Sequence, residues 1–190
     1  KGDKIAFVGD NEAGITALMR ILVGEMNPDE GNFKWGVTIT QSYFPKDNTR
    51  FFEEFDGNLI EWLSQFSANT TETYLRGFLG RMLFSGDEVY KPAKVLSGGE
   101  KVRCMLSRLM LSKANALLLD QPTDHLDLES ITALSNGLQA YPGNLFFSVH
   151  DHQFIDEVAN RIMEFPLENG GCLDYEGSYD DFVQWKKERV

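Results

Sequence analysis

Cysteine is scarce in this sequence, basic charge is in deficit, and long apolar runs are missing. Cys104 and Cys172 are the 2 cysteines in 190 residues. Two isolated cysteines form neither a disulfide framework nor a metal motif, so a reducing cytosol is the expected compartment. No apolar run approaches the ~18–20 residues that cross a bilayer. No signal peptide opens the chain. It begins Lys1-Gly2-Asp3 without an initiating Met, which reads as the middle of a protein, so a fragment is expected. Lys and Arg number 18 against 29 Asp and Glu, a formal net charge of −11. That balance argues against a general nucleic-acid binder.

Hydrophobic residues, in contrast, make up 42% of the chain. This suffices for a real core, and the length suits one domain with room for a small lobe. The acidity is also uneven. From Arg76 to Lys113 stand Arg76, Arg81, Lys91, Lys94, Lys101, Arg103, Arg108 and Lys113, with only Asp87, Glu88 and Glu100 against them. A solvated face is the plain reading of that segment; a contact surface for phosphate or RNA is the sharper one.

The chain is organised around Val95 to Asp127. Ser97-Gly98-Gly99 reads as a turn with almost no side chain. It opens into an apolar-periodic helix through Val102, Met105, Leu106, Leu109 and Met110. Bare N–H groups at a helix N-terminus make an anion site, and phosphate is the usual anion. A lone Ser-Gly-Gly would be only a glycine turn. Here Ala116-Leu117-Leu118-Leu119-Asp120 follows, which reads as a buried parallel strand with a carboxylate at its C-terminal edge. Ligands of open α/β sheets gather at that edge.

These residues carry a resemblance. LSGGE followed by LLLD-x-PT-x-HLD is similar to the signature, Walker B strand and D-loop of ABC ATPases. The Pro122-Thr123-Asp124-His125-Leu126-Asp127 wording resembles the ABC-F family, soluble proteins with two ABC domains in one chain that act on ribosomes. The match runs from about Gly2 to Trp185. It implies an α/β fold of the P-loop NTPase class, with a mainly parallel sheet and a small helical signature lobe at about residues 50–112. The whole of 1–190 would be a single ABC domain lacking its N-terminal strands. The short interval from Thr16 to Ser97 favours the second domain of the pair.

In chain order, Lys4–Val8 reads as a strand, Gly9–Thr16 as a turn, and Ala17–Val23 as a helix closed by Gly24. That is the P-loop context. Gly9, Gly14 and Thr16 meet the pattern G-x-x-x-x-G-K-[ST], and Ile15 stands where Lys belongs. Loss of such a charge-assisted contact costs about 1.5–3 kcal/mol. Asp10 and Glu12 add negative charge where a polyanion would dock, so a loop that binds nothing weighs evenly against one that binds weakly. Phe33-Lys34-Trp35 and Val37–Thr40 read as strands. Gln41–Asp47 resembles the Q-loop, with Lys46 where the family's Gln stands. Asn58 caps a helix through Phe66, a second helix spans Thr73–Phe84, Leu145–Asp151 is a buried strand, Phe154–Arg161 a helix, and Ser178 caps Tyr179–Lys187.

The resemblance implies ATP and Mg²⁺ as cofactors. Gly9, Asp10, Asn11, Glu12, Ala13, Gly14, Ile15, Thr16 and Ala17 would line the phosphates, with Lys46 compensating in part for the lost Lys. Thr16 and Asp120 would hold the metal. Gln121 stands where a Glu should activate water, and an amide cannot accept a proton at neutral pH; general-base catalysis contributes about 10²–10⁴-fold. His150 matches the switch histidine at the γ-phosphate. A lone His would be structural, and its position after the Walker B strand favours function. Ser97, Gly98, Gly99 and Glu100, with Asp127, would face the nucleotide of a partner domain.

The expected function is an ATP-binding domain of an ABC-F-like ATPase acting on ribosomes. Its own site is degenerate at Ile15, Lys46 and Gln121, and its intact signature completes the partner's site. The partner is a sister domain in the same chain or a second copy of the fragment. Ribosome or RNA contact comes through the full-length protein, and no membrane is involved. The alternatives are a nucleotide-binding module that hydrolyses nothing and the nucleotide-binding domain of a membrane transporter.

Overall fold

A computed structural model describes residues 2–165 and 171–188. The strand Lys4–Val8 (β1) and the helix Glu12–Leu22 (α1) come first. Strand β2 is Gln41–Phe44. Helices Arg50–Glu53 (α2), Leu59–Ser64 (α3), Glu72–Arg81 (α4) and Gly98–Leu111 (α5) follow, then strand Ala116–Asp120 (β3). Helix Leu128–Ala140 (α6), strand Asn144–Ser148 (β4), helix His152–Val158 (α7), strands Arg161–Glu164 (β5) and Leu173–Glu176 (β6), and helix Tyr179–Lys187 (α8) complete the order.

The strands form one sheet in the order β2-β3-β4-β1-β5-β6. All pairs are parallel except β5 with β6. The expected α/β fold with a mainly parallel sheet is therefore present. Every residue of β3 is buried, which explains a run with no polar face: both sides of a parallel strand are covered. On β1 the alternation of side chains splits the core. Ala6 joins the larger apolar cluster, while Ile5 and Phe7 pack with Ile15 and Met19 of α1.

Between β2 and β3 the chain is helical. Asn58 caps α3 in a capping box with Glu61. Trp62 is fully buried, stacks on Phe52 at 4.7 Å, and donates from Nε1 to the Phe51 carbonyl at 2.7 Å. The basic segment is internally engaged. The Arg76, Arg81, Arg103 and Arg108 guanidinium groups lie over the rings of Tyr90, Phe78, Phe84 and Phe66, respectively. Lys91 pairs with Glu100, and Lys94 with Asp56. Cys104 is buried, Cys172 is exposed, and both are free thiols.

Several expected elements differ. Residues 33–40 form no strand. Phe33 and Val37 are exposed, and Trp35 instead donates from Nε1 to the Leu22 carbonyl at 2.7 Å. Pairing with β3 is taken by Gln41–Phe44, so the start of the expected Q-loop is an edge strand. Helix α4 stops at Arg81 rather than Phe84, because Leu83 adopts φ +64°. Helix α7 ends at Val158, and Arg161 already belongs to β5. The Ser-Gly-Gly stretch is not a free turn: Ser97 is the N-cap and Gly98 and Gly99 are the first helical residues of α5.

Candidate nucleotide site and signature end

After β1, Gly9 sits at φ +143° against β5. A Cβ there would lie 1.7 Å from the Phe165 carbonyl oxygen, so only glycine fits. Asn11 then caps α1. Its Oδ1 accepts the Gly14 N–H at 2.9 Å and its carbonyl accepts the Ile15 N–H at 3.1 Å. The helix therefore begins at Glu12, well before the expected Ala17. Asn is a strong N-cap, and an acid in the first turn suits the helix dipole. Two N–H groups that an open loop would offer to a phosphate are thus engaged inside the helix. Ile15 is 4% exposed and belongs to the small core of α1, so its side chain cannot replace the missing cation.

Thr16 and Asp120 are brought together as expected. The Thr16 hydroxyl donates to Asp120 Oδ2 at 2.7 Å, across 104 residues of sequence. Hydroxyl and carboxylate oxygens are ligands of the kind Mg²⁺ takes. Burial pushes the Asp120 carboxyl up, against the pull of the Thr16 hydroxyl and Lys46. Gln121 follows at φ +52° and is 3% exposed. Its backbone N–H donates to the Ser148 carbonyl at 2.9 Å, and its Nε2 donates to Ser148 Oγ at 3.0 Å. Gln121 Oε1 is buried without a partner among the described residues.

Lys46 and His150 meet at one carboxylate. Lys46 Nζ donates to Glu12 Oε2 at 2.8 Å, and His150 Nε2 lies 3.3 Å from Glu12 Oε1. The Lys46 ammonium is the main cause that holds the Glu12 carboxyl low, and Glu12 in turn raises Lys46. Gly9, Asp10, Glu12, Gln121, His150 and Glu164 line a cavity of about 270 Å³ in front of α1. Ala13 and Ala17 lie in the first two turns of α1 and bring no polar side chain.

The signature end is built differently. Ser97 Oγ accepts the Glu100 N–H at 3.3 Å, and Glu100 Oε2 accepts the Ser97 N–H at 2.7 Å. Glu100 Oε1 takes Lys91 at 2.6 Å. The carboxylate is thus folded back from the helix end. Gly98 and Gly99 lie against His125, which itself stands at φ +65°. A Cβ on Gly99 would sit 2.7 Å from the His125 carbonyl oxygen. Asp127 caps α6 by accepting the Ser130 N–H at 2.8 Å. Ser97, Gly98, Gly99, Glu100, Arg103 and Ser130 are among the residues that line a cavity of about 420 Å³, with Asp127 at its side. Ser130 Oγ is buried there without a partner among the described residues. The two cavities share no lining residue. A third, of about 270 Å³, lies between them and touches Lys46, Gln121, Gly98 and His125. Sequence reasoning missed Ser148 and Ser130, and reached Arg103 only as one member of the basic segment. Ser148 could have been found as the strand-end hydroxyl two residues before His150; nothing in the sequence marks Ser130.

A family model described as ABC transporter matches residues 1–124. The chain belongs to this family. An ABC transporter ATP-binding protein of Bacillus subtilis (strain 168), YkpA, is 60% identical over 183 residues, 96% of this chain and 34% of that protein. The ABC transporter F family member 2 of Arabidopsis thaliana is 30% identical over 185 residues, 97% of this chain and 27% of that protein. The resemblance to ABC-F proteins read from the motifs therefore holds along nearly the whole chain. The chain spans about a third of the length of the curated relatives it matches. Among solved structures, the archaeal ribosome recycling factor aABCE1, in complex with the ribosomal stalk protein aP1, aligns with a TM-score of 0.80 at 26% identity, covering 99% of this chain and 37% of that one. No helix among the described residues is long and apolar enough to cross a membrane.

ABC domains bind ATP with Mg²⁺. The Thr16–Asp120 pair fits the metal. The residues around it do not fit the terminal phosphates as they stand. The Gly14 N–H is taken by Asn11, the lysine position is a buried isoleucine, and the Glu12 carboxylate holds the two basic groups.

Proposed function

We propose that this chain is one ABC domain, the second, of a two-domain ABC-F-like ATPase that acts on ribosomes. Its own nucleotide site is degenerate at Ile15, Lys46 and Gln121, and its signature completes the site of the sister domain. The contrast between the two helix ends carries this reading. Both ends are capped from within the chain, but at α1 Glu12 also gathers Lys46 and His150, whereas α5 presents Gly98 and Gly99 to an open cavity. Backbone N–H groups at a helix N-terminus favour an anion, and the two ends face separate cavities. The translation part rests on the relatives: one bears the F-family name and a solved neighbour is a ribosome recycling factor. Gln121, buried and hydrogen-bonded through its amide, agrees with slow or absent hydrolysis at this chain's own site.

The test uses the two-domain protein. Ser97→Arg places a bulky side chain at the mouth of the signature cavity. ATP hydrolysis and ATP-dependent co-sedimentation with ribosomes should both fall at least about tenfold, the loss of one charge-assisted contact or more. The melting temperature without nucleotide should hardly move. Unchanged hydrolysis in Ser97→Arg would remove the sister-site reading. A wild-type protein that never sediments with ribosomes would remove the translation reading.

A further inference from the structure

Where the cavity in front of α1 meets the neighbouring one that Lys46 lines, there is a feature that a degraded phosphate site does not require. Lys46 and His150 come from distant parts of the chain, the segment after β2 and the segment after β4. They converge on the same side chain, Glu12, through different carboxylate oxygens, at 2.8 and 3.3 Å. Glu12 is the first residue of α1, where the dipole favours an anion. A carboxylate held by an ammonium, an imidazole and a helix N-terminus occupies the kind of environment that selects phosphate oxygens. The Thr16–Asp120 pair, suited to a metal, belongs to the same helix and the adjoining strand end.

We propose that Glu12 is an internal anion occupying the Lys46–His150 site, so that it sets the nucleotide specificity of the α1 end by excluding the terminal phosphates. A polyphosphate can reach Lys46 only by displacing this carboxylate. This rests on the reading of the α1 end as a descendant of a phosphate site, not on the role given to the signature. Asp10 lines the cavity on the His150 side and reinforces the exclusion, while Glu164, which lines it too, is paired with Lys186. The exclusion is reversible in principle, because the Glu12 side chain is 44% exposed and its ion pair with Lys46 is reached by water. Exposed pairs of this kind are weak. Replacing Glu12 should therefore unmask a site without rebuilding the fold.

The chain itself serves for the experiment, with calorimetric titration of Mg·ATP, Mg·ADP and inorganic pyrophosphate. Glu12→Gln removes the charge at nearly constant shape. Relative to wild type, it should bind Mg·ATP and pyrophosphate about ten- to a hundredfold more tightly, the range of one charge-assisted contact. Mg·ADP should gain less, because it brings one phosphate fewer. Glu12→Gln combined with Lys46→Gln should lose that gain. Glu12→Gln combined with Ser97→Arg should keep it, which separates this inference from the sister-site reading. Circular dichroism melts of each variant establish that a missing gain is not unfolding, and Glu12→Ala repeats the test if the Gln variant melts early. Equal affinity of wild type and Glu12→Gln for all three probes would overturn the proposal. So would a gain that survives Lys46→Gln. A gain for Mg·ATP without one for pyrophosphate would also overturn it, since binding would then lie in the nucleoside.

Discussion

Helices α1 and α5 both begin with a polar N-cap, both carry a glutamate in the first turn, and each faces its own cavity. Two positions of placement separate them. In α5 the glutamate is Glu100, the third helical residue, and a capping box folds it back onto the Ser97 N–H and toward Lys91. Glu100 still lines the cavity, with two glycines ahead of it at the front of the helix. In α1 the glutamate is Glu12, the first helical residue, which lines the cavity and holds Lys46 and His150. Whether a helix N-terminus is an anion site thus depends on where its own acid points. The dipole is the same in both helices; what differs is whether the chain has already supplied the anion.

The sharpest way to break this comparison is at Gly99. A Cβ would lie 2.7 Å from the backbone carbonyl of His125, which cannot rotate away. Gly99→Ala should destabilise the domain by about 1–2 kcal/mol, the strain of overpacking, about 1–3 kcal/mol, less the smaller helix gain of Ala over Gly. Denaturant unfolding measures it. If Gly99→Ala proves neutral, the close approach of the D-loop to the signature does not hold the glycines in place.

Glu100 comes next. Burial acts to raise its carboxyl, but Lys91 and Ser97 outweigh it and hold it below the usual range. Glu100→Gln keeps the shape and should cost about 1 kcal/mol at neutral pH, the scale of a helix cap. The sign with pH follows from the lowered value. A depressed carboxyl contributes stability above its unfolded pKa of about 4.3 and loses it as pH falls through the lower folded value. The gap between wild type and Glu100→Gln should therefore close in acid. A gap that widens there would mean the carboxylate is not the stabilising form.

The sequence makes some of this plain and hides the rest. β3 is visible because a run of four apolar residues ending in Asp120 needs cover on both faces. The starts of α3 and α8 were visible because Asn58 and Ser178 are caps followed three residues later by Glu61 and Asp181. The start of α1 carries a weaker signal, a cap at Asn11 with Glu12 directly after it but Gly14 rather than an acid three residues on, and the P-loop pattern runs across it. The glycines of GDNEAGIT suggested an open loop, while Gly14 is helical. Phe33–Trp35 and Val37–Thr40 have strand-forming residues but no strand to pair with, since β2 holds the edge beside β3. Strand propensity reports a surface that would fit a sheet, not the sheet itself. The meeting of Glu12, Lys46 and His150 spans 34 and 138 positions. No local pattern encodes it; it arises where β1, β2 and β4, with β3 between the last two, end along one edge of a single sheet.

The smallest expected effect separates the two helix ends most finely. Gly14 in α1 and Gly99 in α5 are both glycines in a first helical turn. Gly14 has no positive φ, so its backbone makes no demand that alanine cannot meet. A Cβ there would approach the Asn11 side chain, with Nδ2 at 3.0 Å and Cγ at 3.1 Å. Asn11 is exposed and can shift by a few tenths of an ångström, which weakens its cap without abolishing it. Alanine in a helix is favoured over glycine by about 0.5–1 kcal/mol. The two effects oppose each other, so Gly14→Ala should lie within about 0.5 kcal/mol of wild type, as a substitution free of any named defect does. An open phosphate-wrapping loop would answer differently. There the backbone would leave the helical region at Gly14, alanine would be strained, and the loss would approach that at Gly99. Parallel chemical unfolding of Gly14→Ala and Gly99→Ala thus reads out which kind of N-terminus each helix has. Equal, large losses at both positions would mean that α1 does not begin at Glu12 in solution, and that its N-terminus is as open as that of α5.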